Sequence, residues 1–284
     1  MYRIIERYEE QYSVVSMCKF YGVSRSGYYG WRKRTEEDTK DQQLHERIAE
    51  CQRIHKKRYG YRRVVIWLAR TYGQRVNHKA VLRIMRKYRL LSEIRRRRVY
   101  GLRAKKDLKY RNLLAREFAS THPNEKWVTD ITLIQTKEGF LYLSAIEDLH
   151  GNFVISYAMD ERQEYALVDR TLRSAVEATQ DTRGLLIHSD QGCQYTSYHY
   201  RDRMKEYGMI PSMSNPGTPH DNACMENFFS VLKTECIYRE KPQTIAEAQA
   251  LIAEFVYYYN YERIQTRTKM TPYELRRMAL PSCA

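Results

Sequence analysis

Apolar positions in residues 1–91 recur at spacings of three and four, the mark of helices with one inward face. In SVVSMCKFYGVSRSGYYGWRKR, Val14, Val15, Met17, Cys18 and Tyr21 share a helix face, and Gly22 makes a turn. Ser24 is then placed to cap a second helix that carries Tyr28 and Trp31. A further helix is expected from near Asp41, with Leu44, Ile48, Cys51 and Ile54 at helical spacing. After a turn at Tyr59-Gly60, RRVVIWLARTYG reads as one helix, and Asn77 reads as the cap of another, NHKAVLRIMRKYRLL. There Val81, Ile84 and Met85 face inward, while Arg83, Arg86 and Lys87 lie on the other side. The pattern predicts two helix-turn-helix modules, 1–40 and 41–91, and plain helical hairpins with solvated basic faces fit it equally well.

Residues 92–124 have weak periodicity and read as a basic connector. From Glu125 the rhythm changes to alternation. KWVTDITLIQT, GFLYLSAIEDL and NFVISYAM are β-rich runs divided by glycine-containing turns, which predicts a meander of three strands. A helix over about Tyr165 to Ala178 follows, then a strand LLIHSD, a helix after Thr196-Ser197, a strand near Ile210 and a helix from about Asp221 to Ile237. This βββαβαβα order, over 125–240, is a mixed α/β layout that resembles the ribonuclease H fold, with a helical tail over 241–284.

Charge sharpens that division. Of the 49 Lys+Arg, 33 fall in residues 1–126 against 13 Asp+Glu, while residues 127–284 carry 16 against 21. The net +15 therefore resides wholly in the helical half, which suits a polyanionic partner. Arg62 and Arg63, the run Arg95, Arg96, Arg97 and Arg98, and the basic face of the last helix are the candidate DNA contacts. No apolar run approaches the ~18 residues of a membrane span, and the N-terminus lacks a signal-peptide core, so a cytoplasmic protein is expected. The six cysteines never come closer than twelve positions apart, which predicts reduced thiols and no zinc ribbon.

The chemistry must come from the second half, which has no phosphate-cradling glycine loop and no Ser-His-Asp set. Three carboxylates stand at strand and helix positions that could meet: Asp130 mid-strand in WVTDIT, Asp190 ending LLIHSD, and Glu226 in DNACMENFFSVLKTE. A strand-borne Asp is costly unless a cation neutralises it, and hard divalent ions prefer oxygen ligands. Each residue alone has a plain alternative: Asp190 before Gln191-Gly192 as a turn residue, Glu226 as an exposed helix acid. Asp148 in EDLHGN reads as a turn residue, Glu235 as a solvated acid off the Glu226 face, and Tyr257, Tyr258, Tyr259 and Tyr261 as packing on the core.

Thirty-five residues separate Asp190 from Glu226, and Lys233 stands seven positions further, two helical turns along the same face. With WVTDIT, HSDQGCQYTS and DNACMENFFSVLKTE, this spacing resembles the D, D-35-E triad of the retroviral integrase and transposase superfamily. More narrowly, the chain resembles the downstream-frame product of bacterial insertion sequences encoded in two overlapping frames. YGYRRV with LARTYGQRVNHKAVLRIMRKYRLL is similar to that family's DNA-binding module, and YYYNYERIQTRTKMTPYEL to its tail.

The resemblance implies an α/β catalytic domain of ribonuclease H-like (integrase core) fold preceded by all-α helix-turn-helix modules. It implies that Asp130, Asp190 and Glu226 bind two Mg²⁺ ions, with Mn²⁺ as a substitute, for in-line cleavage and strand transfer of DNA without a covalent protein intermediate. Lys233 would contact DNA near the cleaved bond, and His188 and Ser189 would support Asp190. His188 also reads as an ordinary hydrogen-bonded strand-end histidine. Implied partners are the terminal inverted repeats and target DNA, a second copy of the chain on paired ends, and the upstream-frame product or its frameshift fusion. The implied location is bacterial and nucleoid-associated. The alternatives are a binding-only regulator of element ends and a purely hydrolytic nuclease. No His/Cys zinc module like that of retroviral integrases exists among His45, Cys51 and His55.

Overall fold

The computed structural model describes residues 1–92, 110–179 and 181–279, with the backbone alone over 34–40. Arg95, Arg96, Arg97 and Arg98 lie outside the described residues. The chain divides into two compact units, Met1–Glu93 and Ile94–Ala284. Among the described residues no helix is long and apolar enough to cross a membrane.

The first unit is all helical: α1 (Tyr2–Tyr8), α2 (Val14–Phe20), α3 (Arg25–Ile54), α4 (Tyr61–Tyr72) and α5 (His78–Lys87). Gly22 makes the turn after α2 with φ +66°, a conformation that costs glycine nothing. Ser24 then caps α3, accepting a hydrogen bond from the Gly27 amide at 3.0 Å. Met17, Cys18 and Tyr28 are buried with Ile5 as expected, but Val15 is 55% exposed and faces outward. The larger departure is α3, one unbroken helix where a division at residue 40 and a fresh helix near Asp41 were expected. The run from Trp31 to Gln43 holds no glycine, no proline and few apolar residues. Its missing periodicity mimics a boundary, yet Arg, Lys, Glu and Gln are good helix formers and the helix carries through.

Leu44, Ile48 and Cys51 of α3 meet Val64, Trp67 and Leu68 of α4 and Val81, Ile84 and Met85 of α5 in a three-helix core. Gln52 ties this core by donating to the carbonyls of Tyr59 (2.7 Å) and Leu90 (2.8 Å). Gly73, at φ +64°, ends α4, and Asn77 caps α5 through the Lys79 amide at 2.9 Å, as the sequence predicts.

The second unit is built on a five-stranded sheet of order β3-β2-β1-β4-β5. Its strands are β1 (Lys126–Gln135), β2 (Phe140–Asp148), β3 (Phe153–Asp160), β4 (Leu186–Ser189) and β5 (Ile210–Met213). The first three form the expected antiparallel meander, and β4 and β5 run parallel to β1. Alternation along β1 sends Trp127 and Ile131 into a core with α6 (Tyr165–Thr179) and α7 (Tyr198–Glu206). The opposite face carries α8 (Ala223–Leu232), preceded by a 3₁₀ turn (Pro219–Asn222) and followed by a π-helical turn (Lys233–Ile237) and α9 (Tyr238–Glu240). Last come α10 (Ile245–Tyr261), entered through a Thr244/Glu247 capping box, and α11 (Pro272–Ala279).

Part of the expected connector belongs to this unit. Leu114 is buried, Tyr110 packs against the core, and the Arg111 carbonyl accepts from the Met213 amide. Apolar Leu113-Leu114 and Tyr110 amid basic residues were too sparse to register as an element.

Two acids read as peripheral are structural. Asp148 does accept from the His150 amide at 2.9 Å, as a turn residue would, but it is also fully buried and paired with Arg276 of α11. Glu235 is not solvated: both its oxygens accept from Arg263, at 2.9 and 2.7 Å. The π-helical turn, closed by the Tyr238 amide on the Lys233 carbonyl, displaces Glu235 from its α-helical bearing toward Arg263. The tyrosine run divides by helical phase, with Tyr258 and Tyr259 buried and Tyr257 and Tyr261 exposed.

Candidate active site

Val128 of β1 pairs with His188 of the parallel strand β4. Asp130 and Asp190 each lie two residues beyond that pair, so the period of two brings both side chains to one face, on strands ~4.8 Å apart. Asp130 is partly exposed, and its carboxylate accepts from the Ile131 amide at 2.7 Å. Burial raises its pKa, the charge of Asp190 raises it further and that of Glu226 adds to this, while Lys233 opposes them. The three acids and the lysine therefore share one electrostatic neighbourhood.

Asp190 follows β4 directly and is held in a tight turn, where its Oδ1 accepts from the Gly192 amide at 2.8 Å. A Cβ at Gly192 would stand 2.9 Å from that same oxygen, so a larger residue here would push the Asp190 carboxylate aside. The turn reading and the site reading of Asp190 are thus compatible. Ser189 donates to the Asp190 carbonyl at 3.0 Å.

His188 is fully buried, and burial lowers its pKa to about 4. Its Nδ1 lies 2.8 Å from Ser212 Oγ and its Nε2 lies 3.0 Å from Ser214 Oγ. Ser212 Oγ already accepts from the amides of Leu113 and Leu114. With both lone pairs used, the Ser212 hydroxyl donates to Nδ1, which leaves the proton on Nε2 to be given to Ser214. His188 is the strand-end histidine that stitches β4 to β5 beneath Asp190.

Glu226 stands exposed on the first turn of α8. The start of that helix is anchored from below: Asn222 donates to the Thr129 carbonyl at 3.1 Å, one residue before Asp130. Its neighbour Asp221 accepts from Thr218 Oγ1 (2.5 Å), Arg116 (2.7 Å), Asn112 (3.0 Å) and the Asn215 amide (3.0 Å). Burial alone would raise the Asp221 pKa, but these donors hold it at about 2. Asp221 and Asn222 escaped the sequence reading as site residues because Asp-Asn before a helix reads as a plain cap. Among the described residues, no three His, Cys, Asp or Glu side chains converge into a ready-made metal cage.

Lys233 turns inward, and its Nζ donates to Thr132 Oγ1 at 2.5 Å on the face of β1 that bears Asp130. Burial lowers its pKa and Asp130 pulls it back up. In the first unit, Arg62 is exposed and bonds Tyr61 Oη at 3.1 Å, while Arg63 is half-buried. Arg86 and Lys87 are exposed on α5, whereas Arg83 is engaged by Asp41 through two bonds of 2.6 Å.

Known proteins agree with this division. Residues 120–219 and again 226–280 match the family described as Integrase core domain, and residues 39–98 match the HTH-like domain. The chain is 36% identical to the putative transposase InsK for insertion sequence element IS150 of Escherichia coli K12, over 96% of this chain and 97% of that protein. It is 34% identical to the transposase InsF for insertion sequence IS3A of the same organism, over 84% of each chain. In fold, it superposes on a chain of the simian T-cell lymphotropic virus intasome in complex with PP2A regulatory subunit B56 gamma, with a TM-score of 0.50 at 16% identity, covering 74% of this chain and 69% of that one. A helical unit of the HTH-like type ahead of a ribonuclease H-like integrase core, together with relatives along almost the whole length, makes this chain a member of the insertion-sequence transposase family.

Proposed function

We propose that the second unit cuts and joins DNA strands as a DDE-type polynucleotidyl transferase, with Asp130, Asp190 and Glu226 as its catalytic acids, while the first unit holds element-end DNA. The observation that carries this reading is geometric: the strand register sets Asp130 and Asp190 two residues beyond one pair on adjacent strands, and the Asn222 bond anchors the helix that bears Glu226 beside them. Three carboxylates with a burial-raised pKa in their midst form an all-oxygen donor set with excess negative charge, which fits hard divalent cations such as Mg²⁺, with Mn²⁺ as substitute. Asp130, Asp190 and Glu226 would hold them. When bound, such ions supply activation of the attacking oxygen and charge neutralisation at the departing one.

The chain's own residues do the positioning. The Gly192 amide fixes the Asp190 carboxylate, and the Asn222 bond sets α8 and so Glu226 against β1. Lys233, held by Thr132, places positive charge beside Asp130, suited to a phosphate arriving at the carboxylates. The basic first unit supplies affinity for the polyanion, including the terminal repeats. Two element ends processed together call for at least two copies of the chain, and the upstream-frame product or its fusion is a further partner in this reading.

The test is Asp130→Asn, Asp190→Asn and Glu226→Gln assayed on a two-ended plasmid with Mg²⁺, supplying the upstream-frame product if needed. Each variant is expected to lose strand cleavage and joining while keeping DNA affinity within about threefold, since affinity rests on the basic unit. Cleavage near the wild-type rate in any variant removes that residue from the set. Hydrolysis by wild type without strand joining would replace the transferase reading with a nuclease.

A further inference from the structure

The exposed side of α5 carries a stripe of positive charge: Lys79, Arg83, Arg86 and Lys87 all face solvent, while Val81, Ile84 and Met85 are buried. These positions follow the i, i+4, i+7, i+8 spacing of one helix face. α5 is the second helix of the α4–turn–α5 pair, the element that enters a groove in helix-turn-helix docking. In the middle of this stripe stands one acid from another helix. Asp41 of α3 takes Arg83 in a two-pronged bond, Arg83 Nη1 to Asp41 Oδ2 and Nη2 to Oδ1, both at 2.6 Å. Lys87 Nζ lies 3.9 Å from the same carboxylate. The Asp41 side chain is 15% exposed and that of Arg83 58%, so the acid backs the arginine while the arginine still fronts solvent.

An acid is a poor neighbour for a residue whose only task is to hold phosphate. It repels the backbone and must be displaced, or tolerated, whenever Arg83 or Lys87 meets a phosphate oxygen. What it does provide is direction. A two-pronged bond fixes the plane of the guanidinium, and base-edge reading in the major groove is a matter of planar donor geometry. A loose arginine follows phosphates, which carry no sequence information. The pair also links α3 to α5, and a purely bracing role is separated from a reading role by the variants below.

We propose that Asp41 is a specificity-determining residue of the helix-turn-helix-like unit. It holds Arg83 in one orientation for a base edge, and its charge penalises phosphate contacts by Arg83 and Lys87. Sequence-indifferent binding is thereby suppressed relative to binding at a chosen site. This rests on the reading that the first unit binds DNA.

The experiment uses the full chain and a random-sequence duplex pool, from which the wild type selects its preferred duplexes. Asp41→Asn is expected to bind the unselected pool about three- to tenfold more tightly. Its salt dependence should be steeper by roughly one phosphate contact. Its preference for the selected duplexes over the pool should fall about tenfold. Arg83→Lys keeps the charge but not the fork, so it should retain affinity for the pool and lose the preference. Should Asp41→Asn fail to fold, Arg83→Lys alone decides: preference retained overturns the proposal. Parallel weakening of Asp41→Asn on both DNA sets would show an ion pair that only braces the helices, and would also overturn it. No binding of either DNA by the wild type would remove the DNA-binding reading and this proposal with it.

Discussion

The side-chain amide of Asn222 donates to the backbone carbonyl of Thr129 at 3.1 Å, joining the residue before α8 to the residue before Asp130. The bond is buried, and it spans the step from a helix start to the middle strand of the sheet. It thus sets the height of Glu226 relative to Asp130. Asn222→Ala removes it and leaves the Thr129 carbonyl without that donor, at a stability cost of about 1–2 kcal/mol. Strand cleavage should fall by roughly 10- to 100-fold with DNA affinity unchanged, because a small displacement of a catalytic group is amplified in rate. Cleavage kinetics beside a DNA titration read the two effects separately. An unchanged rate would show that α8 is positioned by Asp221 and its donors alone.

Gly192 offers a cleaner disturbance of Asp190. Its backbone is open to an L-residue, but a Cβ would stand 2.9 Å from Asp190 Oδ1 and 3.2 Å from Gln194 Oε1. Gly192→Ala is expected to fold and to melt close to wild type, while the displaced carboxylate lowers cleavage by about tenfold or more. Thermal unfolding and cleavage rate measured on the same preparation decide. Full activity would mean that the carboxylate works from a different rotamer.

The pair Glu235–Arg263 braces the π-helical turn that carries Lys233 against the end of α10. Both side chains are largely buried, at 18% and 8% exposure. Glu235→Ala strands the Arg263 guanidinium and should cost about 3 kcal/mol. Replacing both, as Glu235→Ala with Arg263→Met, removes the stranded charge and should recover a large part of that loss. Denaturant unfolding of the single and double variants measures the coupling, and a double variant no more stable than the single one contradicts it.

In the first unit, acid should loosen the fold through His55. This ring is 6% exposed and stacks on Tyr59 with centroids 3.9 Å apart. Burial, helped by the charge of Arg58, lowers its pKa from the usual 6.5 to about 4. A depressed histidine pKa means that the unfolded chain binds the proton more readily than the folded one. His55 therefore contributes full stability above pH 6.5 and loses it as pH falls toward 4, about 3 kcal/mol across that window. Thermal unfolding between those pH values, compared with His55→Gln, checks this. Equal pH slopes for the two proteins would exclude His55 as the cause.

Helix and strand placement in this chain was legible in the sequence because it depends on local repetition. Val81, Ile84 and Met85 recur at helical spacing, Trp127 and Ile131 alternate with Val128 and Asp130, and Asn77 and Ser24 cap where capping residues are expected. Asp130, Asp190 and Glu226 stand out in the sequence by their spacing and surrounding motifs, and their catalytic role is the proposal made above. Tertiary structure decided what local repetition does not encode. Continuity of α3 through a polar stretch depends on the absence of a breaker, and a hydrophobic pattern is silent there. The inward turn of Glu235 follows from one wide helical turn, which shifts every later residue off its α-helical bearing. Asp221, Asn222 and Asp41 each take a partner far away along the chain, at Arg116, Thr129 and Arg83, and only packing of the elements brings these within hydrogen-bond reach. The spacing of the three proposed acids is therefore a property of the sequence. Their common neighbourhood is a property of the sheet register, which places Asp130 and Asp190 two residues beyond the same strand pair, and of the anchored helix that carries Glu226 toward them.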